Sequence, residues 1–351
     1  MNHKNLSIAV VGTTSSGKSS FINALCGRYI LPVGVQETTR YVTELIHIPT
    51  NIITSIENKA ISFEKKYFST DSEARKYIYD LIEKFQNSSN QFHKITRNRV
   101  QISFISDFLN IFSHRINNYN KIQEEEQVSL KIIDLPGYNY DGDDRNWEMI
   151  HNCIENAVII FIFNAEETDS VKEDELLRNL LEHQHKKKFY QDIFFVLNRC
   201  DALFRDCPDQ SAFQAKLKSL RDRISKVVKD IFAKEIHTTS IPKIHPLSAL
   251  PVMYGEILYW NYKNLSDEEK SELLSRASLF SNQMLSEDIC DLLPRSIKKW
   301  KFHHIRLYRN EIIKSSFYNS FLFSFEAHVK SLFAFNWLSW SDPIHHRDWH
   351  D

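Results

Sequence analysis

The sequence predicts an α/β fold, with a mainly parallel sheet flanked by helices, followed by a short all-α extension. Residues 157–163 and 192–197 are apolar runs typical of parallel strands that are covered on both faces. Strand-like and helix-like segments alternate up to about residue 254, as they do in sheets with helical crossovers. Beyond that residue only helical patterns follow, so an all-helical unit is expected there.

Composition excludes several classes of protein. The 351 residues suffice for one large domain and a smaller one, and 44 basic residues against 45 acidic ones give no reason to expect a nucleic-acid partner. Five cysteines lack metal-type spacing and no hydrophobic signal precedes the first strand, which favours a cytoplasmic location. No stretch approaches the roughly 18 to 20 apolar residues of a membrane span, so membrane contact is expected to be peripheral.

The first predicted strand, residues 6–11, leads into a loop with the spacing G-x-x-x-x-G-K-S, and a helix-like segment follows. Backbone N–H groups of such a loop, together with the helix N-terminus, bind phosphate. Lys18 is predicted to reach the terminal phosphates, and the Ser19 hydroxyl to bind Mg²⁺. The predicted phosphate-binding residues are Gly12, Thr13, Thr14, Ser15, Ser16, Gly17, Lys18, Ser19 and Ser20.

Capping patterns and apolar periodicity identify the next elements. Residues 29–40 contain turn residues without a helical period, and are predicted to form a mobile switch loop before a strand at 41–48. The capping boxes Thr70-x-x-Glu73 and Ser170-x-x-Glu173 are predicted to start helices. Further strands are predicted at 100–104 and 128–133, and a helix with one apolar stripe from Phe213 to Ile231.

The predicted strand at 128–133 ends on Asp134-Leu135-Pro136-Gly137, a D-x-x-G element. In such an element the aspartate holds Mg²⁺, usually through water, and the glycine N–H senses the γ-phosphate. Asp134 is therefore predicted to be a metal ligand and Gly137 a nucleotide contact.

A guanine-reading element, N-[KR]-x-D, follows the next strong strand as Asn198-Arg199-Cys200-Asp201. A carboxylate at Asp201 accepts from two guanine N–H groups that adenine does not present together, which makes discrimination steep. Arg199 is predicted to lie over the base. Ser248 and Ala249 form a small-residue loop, and the Ala249 N–H is predicted to meet the guanine carbonyl. These four elements, in this order and at strand ends, predict a P-loop GTPase domain with GTP or GDP as its nucleotide.

The stretch 12–45 resembles the dynamin superfamily of GTPases, including mitofusin-like and bacterial dynamin-like members. The shared features are Ser19-Ser20, the segment 21–27, Leu31-Pro32 and Thr38-Thr39-Arg40, and the resemblance continues to Asp201. It implies GTP hydrolysis stimulated by pairing of GTPase (G) domains, either in a homodimer or with a second dynamin-like chain. It also implies that Thr39 is the switch threonine that closes on Mg²⁺ and water, and that Ser15 contacts the β–γ bridge.

The resemblance completes the expected site. Ser15, Lys18 and Thr39 are the expected catalytic residues, and Ser19, Thr39 and Asp134 the expected metal ligands. Thr14 stands where the family often has Gln, and Tyr138 follows Gly137 where Ras-like proteins have a water-orienting Gln. The water-positioning group is therefore expected to come from elsewhere. A slow, nucleotide-gated interaction protein that partners a larger dynamin-like GTPase is the alternative function.

The last hundred residues are expected to form a helical segment at 255–340 beyond a G domain at 1–254, with a disordered tail at 341–351. Ser266-x-x-Glu269 caps one helix, and a second is expected from Pro294 to about residue 335. At about 1.5 Å per residue that helix would be roughly 60 Å long, too long to lie on the G domain alone.

This predicted helix is unusually aromatic, with Phe321, Phe325 and Phe333 among its residues. One interpretation is insertion into a bilayer interface. The other is a packed face within a helical bundle or against a second protein chain. The second is favoured because the aromatic residues occupy more than one helical face.

Overall fold

The computed structural model describes residues 4–34, 42–48, 54–58, 65–87, 99–119, 128–138, 144–154, 157–168, 170–187, 193–206, 211–232 and 243–340. These residues form a nine-stranded sheet of order β4-β3-β5-β2-β6-β1-β7-β8-β9. The strands are β1 Lys4–Gly12, β2 Val42–His47, β3 Thr54–Asn58, β4 Lys65–Phe68, β5 Arg99–Phe104, β6 Val128–Asp134, β7 Ala157–Asn164, β8 Ile193–Asn198 and β9 Ile244–Pro246.

The sheet is mainly parallel. Strands β6, β1, β7, β8 and β9 run parallel to one another, and β2 runs parallel to β5. The pairs β2–β6, β3–β4 and β3–β5 are antiparallel. The predicted fold class, an α/β sheet flanked by helices with a helical C-terminal part, is confirmed.

Helices cover both faces of the sheet. They are α1 Lys18–Cys26, α2 Asp71–Asn87, α3 Asp107–Tyr119, α4 Asp144–Ile154, α5 Val171–Lys187, α6 Cys200–Asp206, α7 Ser211–Phe232, α8 Ala249–Asn261, α9 Asp267–Ser278, α10 Ser281–Met284, α11 Glu287–Leu292, α12 Phe302–Ser315 and α13 Tyr318–Trp340.

Strands β7 and β8 are buried along their whole length and divide the apolar core into two clusters. Alternate residues point to opposite faces, as a period of two requires. One cluster contains Ile160, Ile162, Phe194 and Val196 with side chains from α1, α3, α8, α12 and α13. The other contains Phe161, Phe163, Phe195 and Leu197 with side chains from α4, α5 and α7.

Two of the predicted capping patterns form as expected. The Glu73 N–H donates to the Thr70 hydroxyl at 3.2 Å, and Ser266 and Glu269 form a full capping box. Glu173 behaves differently from the prediction. It is buried, and it accepts from the Asn164 N–H at 3.1 Å instead of completing a box with Ser170. Glu173 therefore fixes the end of β7.

The expectation of one helix from Pro294 to about residue 335 is wrong. A short 3₁₀ turn occupies Ile297–Lys299, and α12 and α13 are separate helices. The break between them lies at Ser316 and Phe317, where Phe317 has a left-handed φ of 63°. Serine hydroxyls weaken the helix before this point, because Ser315 Oγ donates back to the Glu311 carbonyl at 2.9 Å.

Helix α13 packs on the sheet core and does not project from it as predicted. Phe321 and Phe325 are each 1% exposed. The Phe321 ring lies 5.4 Å from that of Phe21 on α1, and the Phe325 ring lies 5.3 Å from that of Phe194 on β8. Burial of these rings is the physical reason that α13 returns to the sheet.

The predicted domain boundary at residue 254 lies inside α8, and the predicted tail at 341–351 lies outside the described residues. The Phe333 side chain is likewise outside them. None of the helices in the described ranges combines the length and apolarity that crossing a bilayer requires.

Candidate nucleotide-binding site

Two residues of the loop between β1 and α1 have a left-handed backbone conformation. Ser15 has a φ of 64° and Gly17 one of 86°. A Cβ at Gly17 would collide with the side-chain amide of Asn198. Backbone N–H groups next to left-handed residues form concave anion sites, and here the N-terminus of α1 lies directly behind them.

The Lys18 ammonium is folded onto the loop. It is buried, and Nζ donates to the carbonyls of Gly12 at 3.1 Å and Thr13 at 2.9 Å. The Lys18 ammonium can therefore exchange these carbonyl partners for a phosphate oxygen by a rotation of its side chain.

Ser19 and Asp134 meet beside the loop. Ser19 Oγ donates to Asp134 Oδ2 at 3.4 Å, and both side chains are buried. A hydroxyl and a carboxylate are oxygen ligands of the type that Mg²⁺ takes when substrate phosphates supply further oxygens. The donor set therefore fits Mg²⁺. The third predicted ligand, Thr39, lies outside the described residues.

The D-x-x-G turn rests directly on the phosphate loop. A Cβ at Gly137 would come within 2.7 Å of Thr14 Oγ1, so only glycine fits this approach. The N–H of the next residue, Tyr138, donates to the Gly12 carbonyl at 3.3 Å. The Tyr138 side chain is buried in the core cluster beneath α4 and α5. It is therefore placed to pack, not to orient a water.

The Asn198 side chain connects the phosphate loop with the loop at residues 248–249. Its Nδ2 donates to the Ser16 carbonyl at 3.0 Å, and its Oδ1 accepts from the Ala249 N–H at 3.0 Å. The sequence predicts Asn198 as a nucleotide contact, and in the structure it also bridges the phosphate loop and the 248–249 loop. The predicted contact of the Ala249 N–H with a base would have to share this donor.

The side chains predicted to read the base lie together at the start of α6. Burial raises the pKa of Asp201, and a hydrogen bond from its own backbone N–H opposes the rise. Arg199, with a left-handed φ of 63°, donates from Nη1 to Glu166 Oε2 at 2.6 Å. The Asp201 carboxylate and the Arg199 guanidinium thus lie beside the phosphate loop, to which the neighbouring Asn198 is bonded.

The loop that presents Glu166 was not predicted from the sequence. The Asn164 side chain accepts from the Glu166 N–H at 3.0 Å, and Glu173 holds the Asn164 N–H. In the sheet, Asn164 is the partner of Asn198. The sequence feature that could have indicated this loop is that β7 and β8 both end on asparagine.

Comparison with known proteins places the chain in context. A model of the dynamin family matches residues 8–200, which is more than half of the chain. Dynamin-1-like protein of Danio rerio is 33% identical over 135 residues, which cover 37% of this chain and 18% of that protein. The same protein of Mus musculus is 29% identical over 133 residues, covering 37% and 17%. These matches therefore span less than a fifth of each relative.

Among solved structures, the chain is similar to one from an oligomerised bacterial dynamin pair. That pair is described as providing a mechanism for the long-range sensing and tethering of membranes. The TM-score is 0.44 at 16% identity, and the alignment covers 95% of this chain and 52% of that chain.

Proposed function

This chain belongs to the dynamin family, and from that membership and the site geometry we propose that it binds GTP and hydrolyses it to GDP and phosphate. The observation that carries the proposal is the direct contact between the site elements. Asn198, at the start of the base reader, donates to the phosphate loop, and a Cβ at Gly137 would touch Thr14 of the same loop. One nucleotide can therefore contact all of them.

Each part of the site has a defined task in this proposal. The loop N–H groups and Lys18 bind the phosphates and stabilise charge that develops on the γ-phosphate. Ser19 and Asp134 would hold Mg²⁺, which when bound would neutralise charge on the nucleotide phosphates. Asp201 accepts from the guanine N–H groups, and Arg199 covers the base.

Ser15 and Thr39 complete the catalytic set that we propose. Ser15 lies on the phosphate loop in the left-handed conformation that turns the chain toward the anion site, which supports a contact with the β–γ bridge. Thr39 is assigned its role on Mg²⁺ and the attacking water from the family resemblance.

Pairing of two G domains, or of this chain with a second dynamin-like chain, is proposed to complete the catalytic site. The support is that the residue after Gly137 is a buried tyrosine, so this position does not orient the water. Peripheral association with a membrane, or with a hetero-oligomeric assembly, is proposed on the family resemblance. The alternative is an interaction protein with slow turnover.

The base-reading assignment is tested with Asp201→Asn. An amide reverses the hydrogen-bonding pattern at one edge, so affinity should fall for GTP and rise for xanthosine triphosphate, each by about tenfold or more for hydrogen bonds to a charged group. Calorimetric titration measures both affinities. Lys18→Ala is the control, because it should weaken both nucleotides alike. An unchanged preference in Asp201→Asn would refute the assignment.

The same protein at increasing concentration tests pairing. Under single-turnover conditions the hydrolysis rate per molecule should rise with protein concentration, because only paired molecules have a complete site. A low rate that stays flat supports the interaction protein instead.

A further inference from the structure

The loop from Leu247 to Ala249 is fixed on two sides by residues of the base reader. The Leu247 N–H donates to the Leu197 carbonyl at 2.8 Å, and the Cys200 N–H donates to the Leu247 carbonyl at 3.2 Å. Ala249 is held by Asn198, as described above. Through Asn198 and Cys200 this loop is fixed beside Asp201, so its position sets the surroundings of the base-reading carboxylate.

A third contact comes from the far end of the chain. The Ser248 N–H donates to the carbonyl of Ser316 at 3.2 Å, and Ser316 is fully buried. Ser316 and Phe317 form the α12–α13 junction. In an uninterrupted helix the Ser316 carbonyl would accept from the N–H four residues later. The break at Phe317 allows it to accept from Ser248 instead.

The junction keeps a costly conformation at this point. A non-glycine residue in the left-handed region is strained, and a bulky one is rare there. The Phe317 ring stacks on that of Phe213 in α7, with centroids 5.4 Å apart and planes 11° apart. Helix α7 packs on α6, the helix that carries Asp201. The left-handed residue is therefore next to Ser316, which bonds the 247–249 loop, and its ring contacts α7, the helix that packs on α6.

We propose that the α12–α13 junction is a positioning element for guanine recognition: the left-handed backbone at Phe317 aims the Ser316 carbonyl at Ser248, and this contact holds the reader loop, residues 247–249, on Asn198 and Cys200 beside Asp201. The inference rests on the proposed function of the site. It makes base selectivity depend on residues that follow Asp201 by more than a hundred positions.

The test compares Phe317→Ala with Phe317→Gly. Both variants lose the ring, but glycine adopts a positive φ without strain whereas alanine does not. The readout is the ratio of the dissociation constants for inosine triphosphate and GTP, because inosine lacks the exocyclic amine that Asp201 reads. Phe317→Ala should lower this ratio by about tenfold, the size of one weakened hydrogen bond to a charged group. Phe317→Gly should retain the wild-type ratio.

The outcomes separate this inference from the proposed function. If both variants lose thermal stability but keep the wild-type ratio, the junction is only structural and the inference is overturned. If the wild type does not bind GTP, both proposals fail.

Hydrogen exchange on the wild type does not depend on a variant that folds. On addition of GDP, the amides of residues 247–249 and 316–318 should become protected together. Protection of the first segment without the second overturns the inference.

Discussion

At the scale of single residues, the site depends on backbone conformations that few side chains tolerate. Gly17 combines a φ of 86° with an approach to Asn198 that leaves no room for a Cβ. Because Asn198 also holds the Ala249 N–H, the space at Gly17 affects both the phosphate loop and the base reader.

We expect Gly17→Ala to weaken GTP binding by about tenfold or more, because a Cβ in the left-handed region alone costs about 1 to 2 kcal/mol. Calorimetric titration measures the loss. Gly255→Ala in α8 is the matched control, since its Cβ would meet no atom closer than 3.6 Å. That change should leave GTP affinity intact and raise stability by about 0.5 to 1 kcal/mol. Equal affinities in the two variants would contradict the role given to Gly17.

The sequence predicts those site residues whose neighbours along the chain already define their task. Lys18 follows a glycine loop, and Asp134 ends an apolar strand, so both could be assigned locally. The bridge from Asn198 to Ser16 and the contact from Ser316 to Ser248 join residues distant in sequence. No local pattern encodes such pairs, because they depend on how β1, β8 and α13 meet in space.

At the scale of elements, the central strands were predictable, whereas the short strands β3, β4 and β9 and the division of the last helices were not. Strands β7 and β8 are apolar on both faces and can be recognised from composition alone. At the break between α12 and α13, Phe317 stacks on Phe213, a contact made only in the folded protein. Periodicity therefore indicated helix correctly but did not indicate where the helix ends.

Helix α13 offers a matched pair of phenylalanines for testing its role. Phe321 is 1% exposed and Phe323 is 77% exposed. We expect Phe321→Ala to lower the free energy of unfolding by about 3 to 5 kcal/mol, the cost of emptying a packed aromatic site. Phe323→Ala should change it by no more than about 0.5 kcal/mol. Urea unfolding measures both. Similar small losses would mean that α13 does not belong to the core.

At the scale of the whole molecule, one sheet joins the two apolar clusters, and α13 closes the cluster that also contains α1. His245 on β9 lies beside α13 in this cluster, and the centroid of its ring is stacked 4.2 Å from that of Phe194. Burial, together with the charges of Lys243 and His328, lowers the pKa of His245 to about 4, from 6.5. Burial also lowers the pKa of His328.

The lowered pKa of His245 predicts a loss of stability in mild acid. Between pH 6.5 and about 4 the unfolded chain binds a proton that the folded protein does not, so stability falls as the pH falls through this window. We expect His245→Phe to lose less stability than the wild type between pH 7 and pH 5 in urea unfolding. Parallel losses in the two proteins would show that His245 does not titrate in this way.

The contact between α13 and the phosphate-loop helix also has a consequence for biosynthesis. The Tyr318 hydroxyl donates to the Ala24 carbonyl across 294 positions of sequence. At about 5 to 20 residues per second, a ribosome needs on the order of tens of seconds to add that length of chain. During that interval Phe21 lacks the Phe321 ring that later covers it, and Phe194, once it has been synthesised, lacks the same ring. Nascent chains of this protein should therefore expose an aromatic surface to chaperones until translation has passed α13.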